Sequence, residues 1–156
     1  MRVLIVEDNA FNAFCLSRLL LTVDKQIQVL LAKDSLSALS YVTGNKPSLV
    51  ILDGDLGASD GLRCNGPALA DMIWQANPNL PVVAWSNSDS MRSAFIEVFR
   101  QYNKPFNECS YWPKIVSQER VQQSLSSLVS WRANERFSNE QNGSRDVLPL
   151  QDCSFR

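Results

Sequence analysis

The chain alternates short apolar runs with longer segments whose apolar residues recur at helical spacing. The runs are mostly aliphatic and lie at residues 2–6, 27–32, 48–52, 81–85 and 109–112. Parallel strands need crossover connections of a dozen or more residues, usually helices, so this alternation predicts a parallel sheet covered on both faces. The sequence therefore predicts an α/β fold: a doubly wound, five-stranded parallel sheet with five helices.

The helical segments carry start signals and apolar faces. Asp34 is the expected N-cap of the second helix, in which Leu36 is expected to point inward, and Ser117 is expected to cap the last helix. In the first helix the apolar face is expected to include Phe11 and Cys15. After about residue 133 the sequence is polar. This predicts one domain, 1–132, followed by a flexible or loosely docked tail, 133–156.

Composition excludes several classes of function. Lys and Arg number 15 and Asp and Glu 16, for a net charge of -1, which argues against a nucleic-acid binder or a membrane-surface binder. The 156 residues contain no histidine, which excludes a histidine-containing catalytic triad, histidine-ligated zinc and phosphohistidine within them. Four scattered cysteines without a CxxC pair predict reduced thiols. With no visible signal peptide or membrane span, we expect a cytoplasmic protein.

Polar residues stand where the predicted strands end. Glu7 and Asp8 follow the first strand, Asp53 the third, Ser86 the fourth and Lys114 the fifth. In an open α/β sheet the ligand site is the crevice outside the carboxyl ends of the strands, so these side chains are expected to meet there. Acids after strands are often simple turn or capping residues, but their joint placement on one edge favours a site.

Three clustered carboxylates repel one another and need a compensating cation. A hard divalent ion such as Mg²⁺ suits oxygen ligands and also binds phosphate. Lysine and serine are suitable partners for phosphoryl oxygens, and a carboxylate beside Mg²⁺ can act as the nucleophile in phosphoryl transfer. These residues therefore point to phosphoryl chemistry.

Four motifs in this order resemble the receiver domain of two-component response regulators, the CheY-like superfamily. They are VLIVEDN (3–9), LVILDGDLGASDGL (49–62), PVVAWSN (81–87) and SYWPK (110–114). The resemblance covers roughly residues 2–132. It implies a flavodoxin-like sheet with strand order 2-1-3-4-5.

The resemblance also assigns roles to the residues at the metal site. Asp53 would be the phosphoacceptor, and Glu7 and Asp8 would hold Mg²⁺ together with Asp53. Asp55 would contribute its backbone carbonyl to the metal.

Three further residues match the positions that respond to the phosphoryl group. The hydroxyl of Ser86 would move toward it, Tyr111 would be the aromatic switch, and Lys114 would be the conserved-type lysine.

Three positions depart from the family pattern. Gly57 stands where the family usually has proline, which is expected to make the loop more mobile, and Asn87 replaces a small residue beside the site. Ile115 replaces the proline that usually follows the lysine, so the Lys114–Ile115 peptide bond is expected to be trans.

The resulting hypothesis is a stand-alone receiver domain, phosphorylated on Asp53 by a histidine kinase or a histidine phosphotransfer protein. It would catalyse only its own phosphorylation and dephosphorylation, and would signal to a downstream protein through residues of about 90–130. Pairing of two copies is left open. One alternative is a degenerate receiver that binds partners without phosphorylation. Another is a haloacid-dehalogenase-type phosphohydrolase, because Asp53-Gly54-Asp55 resembles its DxD motif.

Overall fold

The sheet is parallel and has the strand order that was expected. The computed structural model describes residues 1–57 and 60–128, so the predicted tail, 133–156, lies outside the described residues. The strands pair in the order β2-β1-β3-β4-β5, with every pair parallel. They are β1 (Arg2–Val6), β2 (Gln28–Ala32), β3 (Leu49–Asp53), β4 (Val82–Trp85) and β5 (Tyr111–Trp112). The predicted fold class and strand order are confirmed.

Helices connect successive strands, and side chains cap their first turns. The helices are α1 (Ala10–Val23), α2 (Ser35–Gly44), α3 (Gly66–Ala76), α4 (Asp89–Gln101) and α5, described over 118–128. The Asp34 carboxylate accepts from Ser37 N at 2.7 Å, which confirms the predicted cap of α2. Ser117 Oγ accepts from Arg120 N at 3.2 Å and caps α5 as predicted. No helix among the described residues is long and apolar enough to cross a membrane.

The core consists of two apolar layers, one on each face of the sheet. Alternate strand residues separate between the layers: Leu4 packs with α2, α3 and α4 residues, whereas Ile5 packs with α1 and α5 residues. This alternation follows from the two-residue side-chain period of a strand. Both faces of the sheet are therefore buried, and its carboxyl edge is left for function.

Four local predictions were wrong. Phe11 is 72% exposed and Leu36 is 61% exposed, and Cys15 is also exposed. The buried residues of these helices are Ala13, Leu16 and Leu20 in α1, and Ser35 and Ala38 in α2. β5 is shorter than the predicted 109–112 because residues 107–110 form a turn, in which Ser110 N donates to the Asn107 carbonyl at 3.0 Å.

Candidate functional site

The carboxyl edge of the sheet brings an acidic cluster together. One carboxylate oxygen from each of Glu7, Asp8 and Asp53 lies within 4.8 Å of the others. Glu7 and Asp53 are buried and Asp8 is exposed, so the cluster opens to solvent on the Asp8 side. Carboxylate oxygens at this spacing, with one open side for water or phosphate, form a donor set that suits Mg²⁺.

Lys114 is the cationic partner of this cluster. Its Nζ lies 2.8 Å from Asp53 Oδ1 and also forms an ion pair with Glu7. Burial raises the pKa of Glu7 to about 7, and the hydrogen bond from Lys114 opposes this rise. One ammonium cannot balance three carboxylates, so the cluster retains a preference for an additional cation.

Ser86 lies on the other side of the phosphoacceptor position. It is buried, and its hydroxyl oxygen accepts from Ser88 N at 3.1 Å. A Cβ on Gly54 would come within 2.9 Å of Ser86 Oγ, which places the hydroxyl against the backbone that directly follows Asp53. The Tyr111 hydroxyl donates to the Ser86 carbonyl at 2.7 Å, so these two predicted switch positions are in direct contact.

The loop after Asp53 explains the glycine at position 57. Gly57 has φ +78°, which proline, fixed near about -65°, cannot adopt. A Cβ there would also come within 2.8 Å of Asp8 Oδ2. The missing side chain therefore leaves room for the carboxylate of Asp8, a predicted metal ligand.

The side chain of Asp55 is not part of the acidic cluster. It is exposed, and its Oδ1 accepts from Gly57 N at 3.0 Å. The role predicted for Asp55 uses its backbone carbonyl, and that role stays a prediction.

A second buried carboxylate, which the sequence did not predict, lies in the same loop. Asp60 is 3% exposed and accepts from Ser35 N at 2.7 Å and from Cys64 N at 2.9 Å, and the Ser35 hydroxyl also donates to it. We call Asp60 and Ser35 the loop anchor, because they attach the β3–α3 loop to the start of α2. Its only sequence signal is one more acid in a loop rich in Gly and Asp.

Comparison with known proteins agrees with this fold. A family model described as the response regulator receiver domain matches residues 3–108, and no curated protein matches the chain. A crystal structure of NtrX from Brucella abortus aligns with a TM-score of 0.75 at 23% identity, covering 96% of this chain and 31% of that longer chain. The receiver domain of NtrX aligns with a TM-score of 0.67 at 25% identity, covering 82% of this chain and 98% of that domain.

A smaller neighbour shows the same fold at lower identity. A CheY-like receiver domain protein from Methanospirillum hungatei JF-1 aligns with a TM-score of 0.70 at 15% identity, covering 86% of this chain and 97% of that chain. The family model spans most of the sheet and the predicted phosphoacceptor. The chain belongs to the response regulator receiver domain family.

Proposed function

We propose that this chain is a phosphorylation switch in which Asp53 accepts a phosphoryl group, with Mg²⁺ as the cofactor. The observation that carries the proposal is the buried Asp53 carboxylate, 2.8 Å from the Lys114 ammonium and with an oxygen within 4.8 Å of oxygens of Glu7 and Asp8. The family is one of signalling domains rather than classical enzymes. Since these 156 residues contain no histidine, the phosphohistidine of the donor lies outside them, in a histidine kinase or a phosphotransfer protein.

The chemical step is a transfer from nitrogen to oxygen. A carboxylate oxygen of Asp53 attacks phosphorus, an O–P bond forms, and the N–P bond breaks with its electron pair remaining on the donor imidazole. Bound Mg²⁺, held by Glu7, Asp8 and Asp53, would supply positive charge to the phosphoryl oxygens. Lys114 would exchange its ion pair with Asp53 for one with a phosphoryl oxygen, and the Ser86 hydroxyl would donate a hydrogen bond to another.

The position of Asp55 favours this reaction over phosphohydrolase chemistry. A DxD phosphohydrolase needs its second aspartate as an acid at the reacting group. Here the Asp55 side chain is exposed, and one of its oxygens accepts from Gly57 N at 3.0 Å. Asp53 therefore lacks the neighbouring acid that hydrolysis of a small phosphate ester would use.

An exposed apolar surface beside the site supports docking of the donor. Phe11, Phe14 and Ile115 are 72%, 59% and 93% exposed. Phe11 and Ile115 line one groove together with Lys114, which contacts Asp53. A phosphohistidine that reaches Asp53 brings its protein against this rim, so we assign the groove to the donor and residues of about 90–130 to the downstream partner. The cytoplasmic location stays a prediction, with which the free thiols of Cys15, Cys64 and Cys109 agree.

The decisive experiment is incubation with Mg²⁺ and a small phosphodonor, followed by intact-mass measurement. The parent should gain one phosphoryl group, and Asp53→Ala should gain none. Asp89→Ala, which removes an exposed carboxylate from the first turn of α4, is the control and should gain as much as the parent.

Other outcomes identify the alternatives. A parent without any mass gain would support the degenerate receiver, and undiminished gain in Asp53→Ala would place the acceptor elsewhere. Continuous release of phosphate from a small ester would support the phosphohydrolase.

The docking assignment has its own test. Phe11→Ser and Ile115→Ser should slow phosphorylation by a phosphohistidine-bearing protein but not by a small phosphodonor. Leu36→Ser is a matched control, since Leu36 is 61% exposed and lies on α2. Equal rates for all three variants with the protein donor would contradict the assignment.

A further inference from the structure

Lys114 is held at three points by two residues that follow one another closely at the end of β4. Asn87 Oδ1 accepts from the Lys114 backbone N–H at 2.8 Å. Trp85 Nε1 donates to the Lys114 carbonyl at 3.3 Å, and the Lys114 ammonium lies 3.8 Å from the centroid of the Trp85 ring. The two residues thus contact the amide, the carbonyl and the charged end of the same lysine.

These contacts fix a side chain that is otherwise difficult to fix. A lysine ammonium sits on a flexible four-carbon stem and loses substantial rotamer entropy when it is held in one position. Trp85 is 2% exposed and pairs with Trp112 in the sheet, so its ring is a rigid support. A cation over a tryptophan face is attracted by the electrons of the ring, which adds an energetic preference for the observed position.

The residue after Lys114 does not supply this restraint. Residue 115 is isoleucine, 93% exposed, and no peptide bond among the described residues is cis. An exposed isoleucine after a trans bond contributes no ring to stiffen the corner between β5 and α5. Pro113 precedes Lys114 and restricts the backbone on that side. Beyond the ion pairs with Glu7 and Asp53, the contacts on Lys114 described above come from the end of β4.

We propose that Trp85 and Asn87 are positioning residues that clamp Lys114 so that its ammonium meets Asp53 and the incoming phosphoryl group. The proposal rests on the proposed function for its reaction, but the clamp itself is a structural property that can be measured without phosphorylation. It also gives a role to Asn87, a position at which the sequence departs from the family pattern.

The test uses two clamp variants and two matched controls. Asn87→Ala removes the acceptor for the Lys114 amide, and Trp85→Phe removes the indole N–H. Asn107→Ala is the control for the first, because Asn107 Oδ1 accepts from Cys109 N at 2.9 Å at the other end of β5. Trp74→Phe is the control for the second, because Trp74 Nε1 donates to the Leu80 carbonyl at 2.8 Å and Lys104 lies over its ring at 5.8 Å.

The first readout is amide hydrogen exchange of Lys114 by nuclear magnetic resonance, without a phosphodonor. Asn87→Ala should accelerate this exchange by about tenfold, the equivalent of one net hydrogen bond. Asn87→Asp, which retains an acceptor oxygen, should restore the protection, and Asn107→Ala should leave it unchanged. Parent-like protection in Asn87→Ala would overturn the clamp, whether or not the protein is ever phosphorylated.

The second readout is the rate of phosphorylation of Asp53 by a small phosphodonor. Both clamp variants should react about ten- to a hundredfold more slowly than the parent, since a displacement of about 1 Å has effects of this size. Neither clamp variant should slow the reaction further in a Lys114→Gln background, because both act through Lys114. Parent-like rates in both variants, or additive losses in the double variants, would overturn the proposal, whereas an unreactive parent would refute the proposed function alone.

Discussion

The molecule buries carboxylates in two regions that treat them in opposite ways. In the loop anchor, Asp60 accepts hydrogen bonds from Ser35 and Cys64, which are neutral donors at 2.7 to 2.9 Å. In the acidic cluster, Glu7 and Asp53 share one ammonium from Lys114 and lie close to Asp8. The first region surrounds its carboxylate with hydrogen-bond donors, and the second leaves negative charge that one ammonium does not balance.

The pKa values report this difference. Burial alone raises the pKa of Asp60, but the hydrogen bonds from Ser35 and Cys64 outweigh burial and lower the pKa below its ordinary value of 3.8. Burial raises the pKa of Glu7 to about 7, even though Lys114 opposes the rise. Neutral donors aimed at the Asp60 carboxylate thus favour its ionised form, whereas burial of Glu7 favours its protonated form despite the nearby ammonium of Lys114.

The largest expected effect is the loss of the loop anchor. Asp60→Ala leaves the Ser35 N–H and hydroxyl without their acceptor, and should lower the free energy of unfolding by about 3 kcal/mol. Urea unfolding followed by tryptophan fluorescence measures it. Asp34→Ala is the control on the same helix, because it removes a cap worth about 1 kcal/mol. A loss no greater than that of the control would show that the anchor is weak.

The acidic cluster should respond to carboxylate removal in the opposite way. Asp53→Ala relieves repulsion while Lys114 keeps its ion pair with Glu7, so without divalent cations the variant should be at least as stable as the parent. The same urea titration decides this. A loss comparable to that of Asp60→Ala would remove the contrast between the two regions.

A change in pH should alter the stability contributions of the two regions in opposite directions. Because the pKa of Asp60 is lowered, its contribution to the free energy of unfolding is present above the ordinary pKa of 3.8. This contribution is lost as pH falls through the folded-state pKa. The stability difference between the parent and Asp60→Ala should therefore be constant from about pH 7 to pH 5 and narrow at lower pH. Narrowing already above pH 5 would contradict the lowered pKa.

Glu7 should show the reverse dependence in metal-free protein. The contribution of Glu7 to the free energy of unfolding is present below its ordinary pKa of 4.5 and is lost as pH rises through about 7. Relative to Glu7→Gln, which stays neutral, the parent should lose stability between about pH 5 and pH 8. A flat difference over this range would show that the pKa of Glu7 is not raised.

A smaller effect is expected from Mg²⁺ binding. At a Mg²⁺ concentration ten times its dissociation constant, the parent should gain about 1.4 kcal/mol of stability. Asp8→Asn should abolish this gain, and Asp60→Asn should retain it because Asp60 lies outside the acidic cluster. Thermal unfolding with and without Mg²⁺ measures both. A full gain in Asp8→Asn would exclude Asp8 from the metal site.

The two regions also differ in how far the sequence predicts them. Glu7, Asp53, Ser86 and Lys114 were expected to meet because each follows a strand, and parallel strands end at the same edge. The loop anchor joins residues 25 positions apart, and no local pattern pairs Ser35 with Asp60. Such contacts depend on the path of a loop, which hydrophobic periodicity does not specify.

The direction in which a helical side chain points was also difficult to predict from the sequence. Phe11 and Leu36 have apolar neighbours at helical spacing, but the stripe that meets the sheet is set by how each helix packs on it. The sequence likewise did not predict the contacts of Trp85 and Asn87 with Lys114. These contacts depend on the pairing of β4 with β5, which brings residues 85 and 87 next to residue 114.

The smallest expected effect is a local conformational change in α4 and β5 after phosphorylation of Asp53. Ser86 Oγ accepts from Ser88 N, the cap of α4, and the Ser86 carbonyl accepts from the Tyr111 hydroxyl. The Arg92 guanidinium lies 5.6 Å from the centre of the Tyr111 ring, so α4 and β5 meet at this tyrosine. A phosphoryl group on Asp53 that attracts the Ser86 hydroxyl would break the hydrogen bond from Ser88 N. It would thereby disturb the contact between Arg92 of α4 and Tyr111 of β5.

Hydrogen exchange of the phosphorylated parent and of phosphorylated Ser86→Ala tests this route. The phosphoryl group favours a second state only through contacts that the first state lacks, and the Ser86 hydroxyl makes one of them. The parent should therefore change exchange in residues 88–112, whereas Ser86→Ala should accept the phosphoryl group and change less. The loop anchor and α2 should be unaffected in both, since their hydrogen bonds do not involve Ser86. Equal changes in both proteins, or changes that extend to α2, would show that the signal leaves the acidic cluster by another route.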